Sequence, residues 1–139
     1  MGGVGLEARE TFPGAPESAG RARRFAARTL AAAGRPEAAE VTVLLVSELV
    51  SNAVLHAGTE IAVVVRIQPD RLSVEVHDGG AGRPVRRRYS NLSGTGRGLM
   101  LVEELARDWG TVVTDTGKFV WFELALAPAA DRPGMSSPG

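Results

Sequence analysis

Glu48-Leu49-Val50-Ser51-Asn52-Ala53-Val54-Leu55-His56-Ala57 is the stretch whose reading decides the fold. Glu48 and Asn52 stand four residues apart, so on a helix they share one face, and His56 extends that face by another turn. Val41 and Leu45 fall on the same side, which points this face at a sheet rather than at water. A carboxylate and an amide on an otherwise apolar surface are costly unless something satisfies them. Taken alone, such a pair is most often a solvated acid with an amide near a helix end. The sharper reading is a magnesium-linked pocket: Asn52 offers a neutral oxygen to a hard cation, and Glu48 orients or deprotonates a hydroxyl or water. A lone histidine such as His56 is usually a hydrogen-bonded packing residue.

Working outward, this helix is predicted over about Glu37 to Ala57, with Val41, Leu44, Leu45, Leu49 and Ala53 as its apolar stripe and Gly58 as its stop. Upstream, Ser18 is the expected cap of a helix whose inward positions are Ala22, Phe25, Ala26, Leu30 and Ala33, ended by Gly34. Downstream, Glu60 to Ile67 and Leu72 to Asp78 alternate apolar and polar residues around Pro69-Asp70, the pattern of an antiparallel hairpin. Gly98 opens a third helix with Leu99, Val102, Leu105 and Ala106 inward and Trp109 near its end. Val112 to Thr114 and Phe119 to Leu126 then make a final strand pair around Asp115-Thr116-Gly117. Residues 1–10 read as a flexible or edge segment, 11–127 as one domain and 128–139 as a disordered Pro/Gly/Ser-rich tail. Helices on one face of a mainly antiparallel sheet define an α+β, two-layer α/β sandwich.

Bulk properties narrow the function. The formal net charge is zero, which gives no support for direct nucleic-acid binding or an anionic membrane surface. Cysteine is absent, which excludes disulfides, thiolate metal sites and a cysteine nucleophile. Two histidines are too few for a histidine-rich zinc centre. No apolar run is expected to reach membrane-spanning length and no signal peptide is visible, so the expected location is cytoplasmic.

Two glycine blocks follow the Glu48–Asn52 pair. Asp78-Gly79-Gly80-Ala81-Gly82 closes a strand. Asp-Gly is a common turn pair, but a carboxylate held at a strand end also accepts from an exocyclic amine, and glycines beside it let a flat base approach the backbone. Gly94-Thr95-Gly96-Arg97-Gly98 precedes a helix, where backbone N–H groups and the helix dipole favour phosphate. The connection from the preceding strand is too long for a dinucleotide fingerprint, and the Lys-Ser/Thr ending of a P-loop is missing. Arg86, Arg87 and Arg88 lie between the blocks. Such a run is usually solvated. Here, on a lid from Arg83 to Ser93 that orders around nucleotide, it could reach a triphosphate. Thr95 suits either a phosphate contact or a helix cap.

The three blocks, in this order, resemble the histidine-kinase-like ATP-binding domain (the GHKL or Bergerat fold), and within it the stand-alone anti-sigma factor serine/threonine kinases. Glu48 to Ala57 resembles the N box, Asp78 to Gly82 the first glycine box, Gly94 to Val102 the second, and Phe119-Val-Trp-Phe-Glu-Leu124 the closing strand. The resemblance spans about Thr11 to Leu126. It implies a mixed, mainly antiparallel sheet with three helices on one face, and ATP and Mg2+ as cofactors. By position, Asn52 would be the magnesium ligand, Glu48 the catalytic acid/base and Asp78 the partner of the adenine amine. Gly80 and Gly82 would line base and ribose. Gly94, Gly96 and Gly98 would hold phosphates, with Thr95, Arg97, Leu99 and the lid residue Arg86 completing the nucleotide-binding set. Leu55 stands where histidine kinases commonly carry a basic residue, which argues against the phosphohistidine branch. Lys118 and Phe119 replace a threonine often found near the start of the closing strand, with Thr116 close by.

The resemblance implies a protein serine/threonine kinase that phosphorylates an anti-anti-sigma (STAS-like) partner, or binds a sigma factor, in a homodimeric form. The competing expectation is a non-catalytic ATP-binding module that acts only by gripping a protein. Glu48 separates the two, because a pure binder has no evident use for an acid beside the magnesium position.

Overall fold

The computed structural model describes residues 5–80 and 97–127, with the side chains of residues 97–99 outside that description. Five strands form one sheet in the order β1-β2-β3-β5-β4: β1 (Leu6–Phe12), β2 (Ile61–Gln68), β3 (Arg71–Asp78), β4 (Asp108–Thr114) and β5 (Gly117–Ala125). Helices α1 (Ser18–Ala32), α2 (Ala39–His56) and α3 (Arg97–Leu105) lie on one face, giving the α+β two-layer sandwich. All pairings among the described strands are antiparallel, whereas the resemblance implied a mixed sheet.

The predicted hairpin forms around Pro69-Asp70, and its alternation sets the register. Val63 faces Val76, Val65 faces Val74 and Ile67 faces Leu72. Across the next pairing, Val74 meets Phe122 and Leu72 meets Leu124. These side chains point to the helix layer, where they bury with Phe25, Leu30, Leu45, Val46, Leu49 and Val50. Phe12, at the end of β1, closes this core edge-on against Phe25, with ring centroids 6.2 Å apart.

Several local expectations are corrected. Ser18 does not cap α1: it is the first helical residue, and its hydroxyl donates to the Pro13 carbonyl. A 3-10 turn over Pro36–Ala38 leads into α2, because proline at the first position has no N–H to lose. Within α2 the core positions are Thr42, Leu45, Val46, Leu49, Val50 and Ala53, while Leu44 is exposed. Trp109 belongs to β4, opposite Phe122, rather than to the end of α3. Gly58, at φ 66°, ends α2 by donating its N–H to the Ala53 carbonyl at 3.1 Å.

Contrary to expectation, one segment among the described residues, Pro36–His56, is long and apolar enough to span a membrane by length and composition. In the fold it packs against α1, α3 and the sheet, as a core helix does.

At the far end of the sheet, the buried guanidinium of Arg35 ties three segments together. It donates to the Pro69 carbonyl in the β2–β3 turn, to the Ala127 carbonyl at 2.7 Å and to Glu37 at 3.1 Å. The Leu126 N–H donates to the Asp70 carbonyl at the same end.

The face away from the helices carries a charge network. Arg66 donates to Glu75 at 2.7 Å and to Glu7 at 3.2 Å, and His77 Nε2 lies 2.8 Å from Glu75. The His77 ring stacks on Phe119 with centroids 4.4 Å apart. Burial alone would raise the Glu75 carboxyl, but hydrogen bonds from His77 and Arg66, and their charges, hold it below its ordinary value. A depressed carboxyl stabilises the fold above its unfolded pKa and loses that contribution as pH falls through the folded value. Wild type is therefore expected to lose more melting temperature than Glu75→Gln between pH 6 and the acid range below ordinary carboxylate values. Parallel acid slopes for the two proteins would contradict this account.

Candidate functional site

One cleft opens between α2 and the end of the β3–β5 pair. Leu49, Asn52, Ala53 and His56 line it from the helix, and Val76, Asp78, Lys118 and Val120 from the sheet. Its enclosed part has a free volume of about 50 Å³, and the cleft continues beyond that into open solvent.

The helix side follows from periodicity. Leu49, Asn52, Ala53 and His56 are spaced i, i+3, i+4 and i+7, so they share one face. The sheet side follows from register. In β3 the inward residues are Leu72, Val74 and Val76, and Asp78 is next in that series. In β5 the inward residues are Leu124, Phe122 and Val120, and Lys118 is next. Asp78 and Lys118 are thus direct cross-strand partners at the sheet end nearest Asn52.

Asp78 is nearly buried, with 5% of its side chain exposed, and Lys118 retains 16%. The Lys118 ammonium lies 3.1 Å from both Asp78 oxygens. The Gly80 N–H donates to Asp78 Oδ1 at 2.8 Å, and the Gly79 N–H donates to Thr59 Oγ1 at 2.8 Å. Gly80 is required by close approach, since a Cβ there would sit 2.8 Å from the Ala57 Cβ at the end of α2. Asp78, Gly79 and Gly80 therefore lie close against the end of α2, with the carboxylate held in the lining of the cleft.

Of the expected site residues, the structure brings Asn52 and Asp78 to this one cleft, with Gly80 at its margin. Glu48 lies half-buried one turn before Asn52 and is not among the residues lining the cleft. Gly82, Arg86, Gly94, Thr95 and Gly96 lie outside the described residues, as do the lid over 83–93 and the tail over 128–139. Arg97, Gly98 and Leu99 form the start of α3. Thr116 sits exposed in the β4–β5 turn and is not among the residues lining the cleft. Lys118 does line it, and the sequence reading left it without a role. Counting inward positions back along β5 from Leu124 would have found it.

Residues 12–124 match the histidine kinase-like ATPase domain. The match covers most of the chain, and the protein belongs to that family. No curated protein sequence matches the chain at a significant level.

Proposed function

We propose that the protein binds ATP with Mg2+ in this cleft and acts as a protein serine/threonine kinase of the anti-sigma type. Its acceptor would be a serine on an anti-anti-sigma (STAS-like) partner, and its output the regulation of transcription by partner switching in the cytoplasm. One observation carries the nucleotide reading: in a chain of the histidine kinase-like ATPase family, Asn52 and Asp78 line a single cleft from opposite layers. Asp78 suits the base, because an ionised carboxylate only accepts and an exocyclic amine donates. Asn52 suits a magnesium ion that keeps several waters and is held chiefly by substrate phosphates, since such a site needs few protein oxygens. The metal, when bound, would draw charge from the phosphate oxygens. Glu48, one helical turn away, would orient the acceptor hydroxyl and take its proton.

Isothermal calorimetry tests the pocket. ATP is expected to bind with magnesium and NAD is not, and Asn52→Ala should weaken the magnesium-dependent part of ATP binding by about tenfold, roughly 1.4 kcal/mol. Equal binding of NAD, or no heat with ATP, would sink the assignment.

A further inference from the structure

The cleft floor holds more recognition chemistry than a lone carboxylate. An ionised carboxylate has about four lone-pair sites on two oxygens, and an ammonium has three protons. Asp78 Oδ1 accepts from the Gly80 N–H and from Lys118, which fills it. Among the described residues Oδ2 accepts only from Lys118, which leaves one acceptor site. Lys118 directs one proton to each oxygen and meets no other acceptor among the described residues, which leaves one donor. Both groups line the cleft, and both are largely out of solvent.

The geometry points to Lys118 as a second base-reading residue: Asp78 and Lys118 together present an acceptor beside a donor, matched to a purine edge with an amine next to a ring nitrogen. This rests on the ATP-binding reading above. Adenine carries such an edge, its C6 amine flanked by N1 and N7. The amine donates to Asp78 Oδ2, and one flanking nitrogen accepts from the Lys118 ammonium. A base lacking that nitrogen leaves a poorly solvated N–H unpaired, and sites built on buried hydrogen bonds reject analogues for this reason. Lys118 thereby converts a site that reads an amine into one that reads an amine and its neighbour.

The test is a titration of ATP, 1-deaza-ATP and 7-deaza-ATP against wild type, Lys118→Met and Lys118→Arg, each checked by thermal melting. Wild type is expected to prefer ATP over one of the two deaza analogues by about tenfold. In Lys118→Met that preference should collapse towards unity, while Lys118→Arg, which keeps a donor, should retain most of it. The ratio is read within each protein, so a general change in affinity from uncovering Asp78 does not imitate the result. If wild type binds all three nucleotides equally, or if Lys118→Met keeps the wild-type ratio, the inference is overturned while ATP binding stands. If Lys118→Met does not fold, the wild-type ratios and Lys118→Arg still decide it. If wild type binds no ATP, the functional reading fails first.

Discussion

Glu48→Gln is expected to suppress phosphoryl transfer by about a hundred- to ten-thousand-fold while leaving ATP affinity within a few-fold of wild type. In the proposed reaction the serine oxygen bonds to the γ-phosphorus as the bond to the bridging oxygen breaks and ADP leaves. The serine proton passes to Glu48. A glutamine keeps the volume and one acceptor oxygen but cannot take that proton. The position of Glu48 explains why binding should survive: it lies one turn before Asn52 and outside the residues that line the cleft. Transfer of labelled phosphate to an anti-anti-sigma protein, beside calorimetry with ATP, separates the two effects. Unchanged transfer would remove Glu48 from the chemistry. Absent transfer with intact ATP binding in wild type would favour the module that acts by binding alone.

Gly117→Ala is expected to be the most damaging small substitution near the site. A Cβ at this position would collide with the backbone carbonyl of Asp78 and come within 2.7 Å of the Gly79 Cα. Backbone cannot swing aside as a flexible side chain can, so β3 and β5 must part where Asp78 faces Lys118. Overpacking of this kind costs about 3 kcal/mol. For a domain of this size that corresponds to a melting temperature lower by roughly 10 °C. Gly34 is the natural comparison. It has a left-handed φ of 74°, yet nothing lies within 4 Å of a Cβ built there. Gly34→Ala should therefore cost only the conformational penalty, about 1 kcal/mol. Equal losses in the two variants would show that strand separation at Gly117 is not what matters.

What the sequence made legible was governed by local periodicity. The β2–β3 hairpin could be read to within a residue or two, because a strict alternation flanks Pro69-Asp70. The inward side of α2 was harder. Its composition is apolar nearly all round, so Leu44 looked as good a core residue as Val46 or Val50, and only packing against α1 and the sheet chooses between them. No clear stop follows Leu105, so the local pattern places Trp109 near the end of α3. Its place opposite Phe122 depends on pairing with β5, which no local window contains. Gly110, beside it, is explained by the Trp121 indole lying against that backbone, where a Cβ would sit 2.9 Å from Nε1. Asn52 and Asp78 were legible as chemistry because their residue types are unusual where they stand. Lys118 was not, since its partner is distant in sequence and the two meet only through register.

The Arg35 clamp has a practical consequence for handling the protein. Lys118, the second residue of β5, stands at the cleft, and the strand then runs away from it to Ala125, opposite Arg71. At about 3.3 Å per residue, that run places the Ala127 carbonyl roughly 25 Å from the nucleotide position, pinned there by Arg35. A label or tether attached at Ala127 itself therefore departs from the opposite pole of the sheet. Immobilising the protein through that end should leave the mouth of the cleft facing solution, so solid-phase nucleotide and partner measurements can be made without steric interference from the attachment.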